Sequence, residues 1–334
     1  MKAGIPSVPI VSSAARFLRL SAHLQMLPLL EGGEETLIGG QAVMEGVMMR
    51  APHSYCVAVR KPNGELVTEE HPVHRISEKY PILKWPILRG LGTIGQAMTL
   101  GVKALKFSAN AALDDGSEKP VEISSSMMTI QVIVMLAVFL AVFKFAPLAL
   151  ATRIGQRVPA LSGIYANNFL DGGIRAVILL LYLFLLSRLK DIRRVFQYHG
   201  AEHKVVFNFE SGKPVNIQNA QAFETFHPRC GTNFLAVIIG VSFLFYPLLP
   251  IHGFLPRLLI RIALLPLIAG ISYEVIRFAA KRPGTLFALI SKPGLWLQRI
   301  TTQQPDDSQA AVAIHALEGA MSLEEKQGGE LVIA

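Results

Sequence analysis

Residues 230–256 read CGTNFLAVIIGVSFLFYPLLPIHGFLP, a stretch without a single Asp, Glu, Lys or Arg. A helix rises 1.5 Å per residue, so about 20 such residues cross the roughly 30 Å hydrocarbon layer of a bilayer. Pro247 and Pro250 remove backbone donors and break the helix near its far side. The stretch therefore predicts a transmembrane helix, and with it an integral membrane protein.

The flanking sequence repeats the signal. Met127 to Leu150 is apolar except for Lys144, which reads as a residue near one end whose amine snorkels to the headgroups. Leu258 to Ile276 carries only Arg261 and Glu274, both near its ends. Ala176 to Ser187 is uncharged but gives only about 18 Å of helix, so it spans only with Arg175 and Arg188 snorkelling at its ends. Four spans are expected. Composition agrees: of 334 residues, 51% are hydrophobic and 17% charged, with a mean hydropathy of +0.41, which excludes an ordinary water-borne globule.

Basic residues set the expected orientation. Arg188, Lys190, Arg193, Arg194, Lys204, Lys213 and Arg229 lie between the second and third spans, against Arg153 and Arg157 between the first and second. The positive-inside rule then puts the 188–232 loop, and with four spans both termini, on the cytoplasmic side of a multi-pass cell-membrane protein. The net charge of +8 suits an anionic leaflet, and no nucleic-acid motif accompanies it. Two distant cysteines, Cys56 and Cys230, make no disulfide framework.

Outside the membrane the expected architecture is mostly α with a small cytoplasmic α+β portion. Residues 1–37 begin with no acid before Glu31 and read as a disordered or surface-lying tail. Residues 38–126 form a cytoplasmic or interfacial portion. Within it Ser54–Arg60 and Glu65–His71 alternate around Asn63-Gly64, the signature of a β-hairpin over 54–71. Residues 86–107, with glycines at 90, 92, 95 and 101 among Leu, Ile and Met, read as a helix lying on the membrane. Membrane helices with the His/Cys loop fill 127–277. The cytoplasmic segment 278–334 holds a helix over about 309–321, capped from Asp306–Ser308.

The chemistry-bearing motif is His199-Gly200-Ala201-Glu202-His203. Positions i and i+4 share a helix face, so both imidazoles can reach one ion with Glu202 beside them, the H-x-x-E-H order of inverted zinc peptidases. His227-Pro228-Arg229-Cys230 adds an imidazole and a thiolate. The expected ligands are His199, His203, His227 and Cys230, for Zn²⁺ or another divalent transition metal, with Glu202 as general base. Glu45, Glu210 and Glu274 are alternative carboxylates, Glu274 having a helix-end pair with Arg277 as its plainer role. A His pair at helical spacing is also what a half-solvated surface looks like, and the cation Lys204 beside the motif disfavours a bound dication.

The strings GGQAVMEGVMMRAP (39–52), YHGAEHKVVFNFE (198–210), HPRCGTNF (227–234) and GLWLQRITTQQPDD (294–307) together resemble the YqhQ family, also called domain of unknown function 1385. The resemblance runs from Ile38 to about Met321. It implies a bacterial membrane protein of a family labelled a metal-dependent enzyme, whose candidate ligands fall on His199, His203, His227 and Cys230. It brings no substrate and no catalytic base.

Three classes of function follow. A metal-dependent hydrolase would place three of the four ligands and a water at the cytoplasmic membrane face, acting on a peptide or a lipid headgroup. Four protein ligands would instead make a structural site in a non-enzymatic scaffold or assembly factor. Transport is the weakest expectation, because Lys144, Arg175, Arg261 and Glu274 fall near the ends of their spans.

Overall fold

A computed structural model describes residues 38–74, 76–114, 125–281 and 286–327. The tail expected over 1–37 lies outside these residues, as does the end of the C-terminal segment, 328–334. Four strands come first: β1 (Gly39–Val43), β2 (Gly46–Arg50), β3 (Ser54–Arg60) and β4 (Leu66–Pro72). Helices follow: α1 (Leu88–Leu113), α2 (Ser125–Leu140), α3 (Ala146–Arg157), α4 (Ile164–Leu186), α5 (Lys190–Glu210), α6 (Ile217–Gln221), α7 (Gly231–Phe245), α8 (Phe254–Ala263), α9 (Leu265–Lys281), α10 (Leu286–Thr301) and α11 (Asp307–Lys326).

The strands form an antiparallel meander in the order β1-β2-β3-β4. The expected hairpin is β3–β4, in register from Ser54↔Pro72 to Arg60↔Leu66, with Gly64 at φ +88 taking the left-handed turn position that glycine tolerates. Sequence patterning did not reveal the β1–β2 hairpin. Its turn carries Glu45 at φ +51 rather than a glycine, and Val47, Met48 and Met49 run apolar without alternation because both faces are covered. Val47, Met49, Cys56 and Ala58 face one core, with Tyr198, Val205, Ala313 and Leu317. Met48, Tyr55, Val57 and Val59 face the other, with Leu100 and Ala104. Period two along each strand thus sorts side chains between two helical layers.

Helix α1 supplies one layer, so the segment expected to lie on the membrane buries a face against the sheet. Helices α5 and α11 supply the other. Asp306 starts α11 with a capping box: its carboxylate accepts from Gln309 N at 2.9 Å, and the Gln309 side chain accepts from Asp306 N at 3.0 Å. Ala310, Ala313, Ala316 and Ala320 are buried along it, and a Cβ at Gly319 would meet Cys56 Sγ at 2.6 Å. Small residues therefore set the close approach of α11 to β3.

Among the described residues three helices are long and apolar enough to cross a membrane: Thr129–Arg157, Ile164–Leu186 and Gly231–Leu248. Met135, Val177, Leu181 and Leu244 stand exposed on them, as lipid-facing side chains do. The second span is longer than its uncharged core implied. Arg175 is buried rather than snorkelling, and Asp171 one turn earlier accepts from its Nη2 at 2.6 Å, which lets the helix run back to Ile164. Over Leu258–Ile276 the expected single helix is instead a pair, Phe254–Ala263 and Leu265–Ala279, bent by 48°. Pro266, at the start of α9, lacks the N–H that would continue the ladder. Segment 188–232, expected as a loop, is largely the helices α5 and α6.

Burial between β3 and α11 pushes the Cys56 thiol up to about 12. At pH 8 its thiolate fraction is then on the order of 10⁻⁴, so maleimide is expected to leave Cys56 unmodified in folded protein and to label it after denaturation. Peptide mass spectrometry reads this, and rapid native labelling of Cys56 would contradict the packing.

Candidate metal centre

Helix α5 carries the motif through the middle of the molecule. Residues from Gly200 to Val206 are all buried, because one side packs on the sheet and α11 while the other meets the chain before α7, at Thr225 and Cys230, and the chain after α10. Glycine at position 200 is required by that second contact: an added Cβ would lie 2.0 Å from the carbonyl oxygen of Gln303. At the same crossing Gln303 N donates to Phe196 O at 2.9 Å.

The two imidazoles share a face, with ring centroids 4.4 Å apart. His199 Nδ1 lies 2.9 Å from Thr301 O, and His203 Nδ1 lies 2.5 Å from Thr225 O. A carbonyl only accepts, so each Nδ1 must carry the proton and each neutral ring keeps its lone pair on Nε2. A carbonyl bound to the far ring nitrogen in this way orients metal-binding histidines. His199 Nε2 is 3.1 Å from Cys230 Sγ. Cys230 is the N-cap of α7, its sulfur accepting from Thr232 N at 3.4 Å, so the positive end of the helix dipole faces it. Ligand atoms of His199, His203 and Cys230 all lie within 4.8 Å of one another. Two imidazole nitrogens and one sulfur so close together are a donor set that fits zinc.

Glu202 is buried beside them, with Oε2 3.5 Å from His203 Nε2. Room for it comes from Gly40 on β1, where an added Cβ would meet Glu202 Cγ at 2.5 Å. The fourth expected ligand stands apart from the group of three. The amide of Gln298 clamps the backbone of His227, accepting from its N at 2.7 Å and donating to its O at 2.8 Å. Its ring packs 4.5 Å from Phe207 and 5.5 Å from His203, centroid to centroid. The Nδ1 atom accepts from Arg229 N at 3.3 Å, which turns Nε2 toward Glu210 at 3.6 Å. Burial holds its pKa below the ordinary histidine value, against the upward pull of Glu202.

The alternative carboxylates are engaged elsewhere. Glu45 forms a two-point pair with Arg194, Nη2 to Oε2 at 2.6 Å, and accepts from Tyr198 OH at 3.3 Å. Glu210 pairs with Arg229. Glu274 is held by Arg89 and by the backbone N–H of Ile87, so α1 provides its principal partner in place of Arg277. Lys204 leaves the site altogether: its amine donates to Gln221 O at 2.9 Å and to Phe223 O, and burial lowers its pKa.

A family model described as "Protein of unknown function (DUF1385)" matches residues 85–323. The chain is 35% identical over 301 residues to "Uncharacterized protein YqhQ" of Bacillus subtilis (strain 168), covering 86% of this chain and 92% of that protein. The chain belongs to the DUF1385 family. No solved structure matches it. Thr301 and Gln303 fall in the string that carried the resemblance, GLWLQRITTQQPDD, and Gly40 falls in GGQAVMEGVMMRAP. Sequence reasoning gave these residues no role, because a carbonyl acceptor or a space for a neighbouring side chain leaves no chemical signature in a residue's type.

Replacing Gly200 by alanine should destabilise the protein, on the order of 1–3 kcal/mol, by driving α5 from Gln303. At Gly95, whose surroundings are open, the same change should be neutral or stabilising through helix propensity. Thermal unfolding in detergent checks the opposite signs.

Proposed function

We propose that this protein is a membrane-embedded metalloprotein whose His199, His203 and Cys230 hold one zinc ion, and that the centre serves hydrolysis of a peptide or lipid headgroup at the cytoplasmic membrane face. The observation that carries this reading is that an imidazole nitrogen of His199, one of His203 and the Cys230 sulfur lie within 4.8 Å of one another, beside the buried carboxylate of Glu202. Zinc in such a set supplies Lewis acidity toward an oxygen and lowers the pKa of a bound water toward neutrality. Thr301 and Thr225 hold the imidazoles in the tautomer that binds. Glu202, pinned against Gly40, is the group suited to take and return a proton. His227, turned toward Glu210, leaves a coordination position for substrate or water.

The cytoplasmic location is inferred from the basic residues between the second and third apolar helices. Helices α5 and α6, built from this segment, would carry the centre just inside the membrane surface.

One observation favours a second reading, a structural ion in a scaffold: the centre ties α5, α7 and the end of α10 together, and His203 is only 2% exposed. Elemental analysis of detergent-purified protein, combined with an assay of peptide and phospholipid hydrolysis, separates the two. About one zinc per chain is expected, lost in His199→Ala, His203→Ala and Cys230→Ala and retained in Glu202→Gln. Hydrolysis abolished by Glu202→Gln with zinc retained supports the enzyme. Folded protein that binds no zinc would overturn both readings, and zinc-loaded protein without hydrolysis on the panel would favour the scaffold.

A further inference from the structure

The helices expected to carry isolated charges at their ends instead gather them. Lys144 lies on the π-helical turn Ala141–Phe145, within the first apolar helix. Asp171 and Arg175 lie on α4, and Arg257 and Arg261 on α8. Lys144, Asp171, Arg175 and Arg261 are all at most 3% exposed. They surround Tyr246, whose ring centroid is 5.5 Å from Lys144 Nζ, 5.2 Å from Arg175 and 5.0 Å from Arg261. Cys230 starts α7 and Tyr246 follows its end, so this cluster stands about 24 Å along the helix from the zinc ligands.

Charge in the cluster does not balance. Four cations meet one carboxylate, and Asp171 is the only acid anywhere in Thr129–Arg157, Ile164–Leu186, Gly231–Leu248 and Phe254–Ala263. A guanidinium stays protonated, so three arginines face one Asp whatever the state of Lys144. Buried unpaired charge is costly, and inside an apolar bundle it marks a functional site. Asp171 Oδ2 already serves two partners, Arg175 Nη2 at 2.6 Å and Arg261 Nη1 in ion-pair contact at 2.9 Å. Asn168 Oδ1 takes both Arg257 and Arg261 at 2.7 Å. Arg175 Nε is left without a hydrogen-bond acceptor, and Asp171 Oδ1 without a donor.

From this set we infer a binding site for a protonated oxyanion, the hydrogen phosphate group of inorganic phosphate or of a phosphate monoester. Guanidinium donors match phosphate oxygens, and the excess positive charge selects an anion. The carboxylate adds discrimination: a P–OH donates to Asp171 Oδ1, whereas sulfate and a phosphodiester have no proton to offer and are repelled. Inorganic phosphate and a phosphatidic-acid headgroup share the required chemistry.

Thermal unfolding of the full chain in neutral detergent tests the site at fixed ionic strength. Inorganic phosphate, or micelles doped with phosphatidic acid, should raise Tm by about 5 °C at saturation; which of the two acts identifies the source. Sulfate and phosphatidylglycerol should not. The stabilisation should disappear in Arg257→Gln, a change at the partly exposed edge of the cluster, and in Lys144→Met. In Asp171→Asn sulfate should stabilise as well as phosphate. No shift with either phosphate source, an equal shift with sulfate in the unmodified protein, or a shift retained in folded Arg257→Gln would each overturn the inference.

Discussion

Helix α5 has no solvent face through its central turns, and most of the architecture answers to that constraint. A helix buried on all sides still has to satisfy every polar side chain it carries into the interior. Glu202, His203, Lys204 and Asn208 are such residues, and each one fixes a neighbour. Asn208 bonds the carbonyls of Lys213 and Pro214 that turn the chain into α6, and Lys204 bonds the carbonyls that follow α6. His203 bonds Thr225, and His199 bonds Thr301 at the end of α10. The helix thereby organises the chain between the sheet and the apolar helices.

That arrangement explains why the candidate centre can be rigid. The histidines sit on a helix held between a two-faced sheet core and the chain segments that carry Thr225, Cys230 and Thr301, and their Nδ1 atoms are bound to backbone rather than to movable side chains. Cys230 occupies an N-cap, where the helix fixes its direction. Ligand geometry set by regular elements is held more tightly than geometry set by loops. The apolar helices add a second polar assembly at the opposite end of α7, made from different residues and governed by charge imbalance rather than by soft donors.

Much of this was legible in the residues. Long apolar runs announced the apolar helices, Asn63-Gly64 announced the β3–β4 hairpin, and Asp306–Ser308 announced the start of α11. Of the four expected ligands, His199, His203 and Cys230 lie together in space. What stayed hidden depends on long-range packing. Strands β1 and β2 are covered on both faces, which erases the alternation that marks a half-buried strand. The second span was read short because Asp171 and Arg175 look prohibitive singly, and only the helical spacing that pairs them makes the helix continuous. Arg261 and Lys144 looked like residues at helix ends, since sequence position gives no sign that three helices bring them to one tyrosine. His227 lies near the group in sequence, yet its ring is turned by Arg229, Glu210 and the Gln298 clamp.

The central claim is a three-ligand zinc centre of mixed nitrogen and sulfur character, and X-ray absorption at the zinc edge tests it directly. Zinc-loaded protein should show one sulfur at about 2.3 Å and two imidazole nitrogens at about 2.0–2.1 Å, with a light-atom neighbour completing the shell. In Cys230→Ser the sulfur contribution should vanish while the imidazole scattering persists. A shell made only of light atoms in the unmodified protein, or one unchanged by Cys230→Ser, would contradict the assignment of His199, His203 and Cys230 to a single ion.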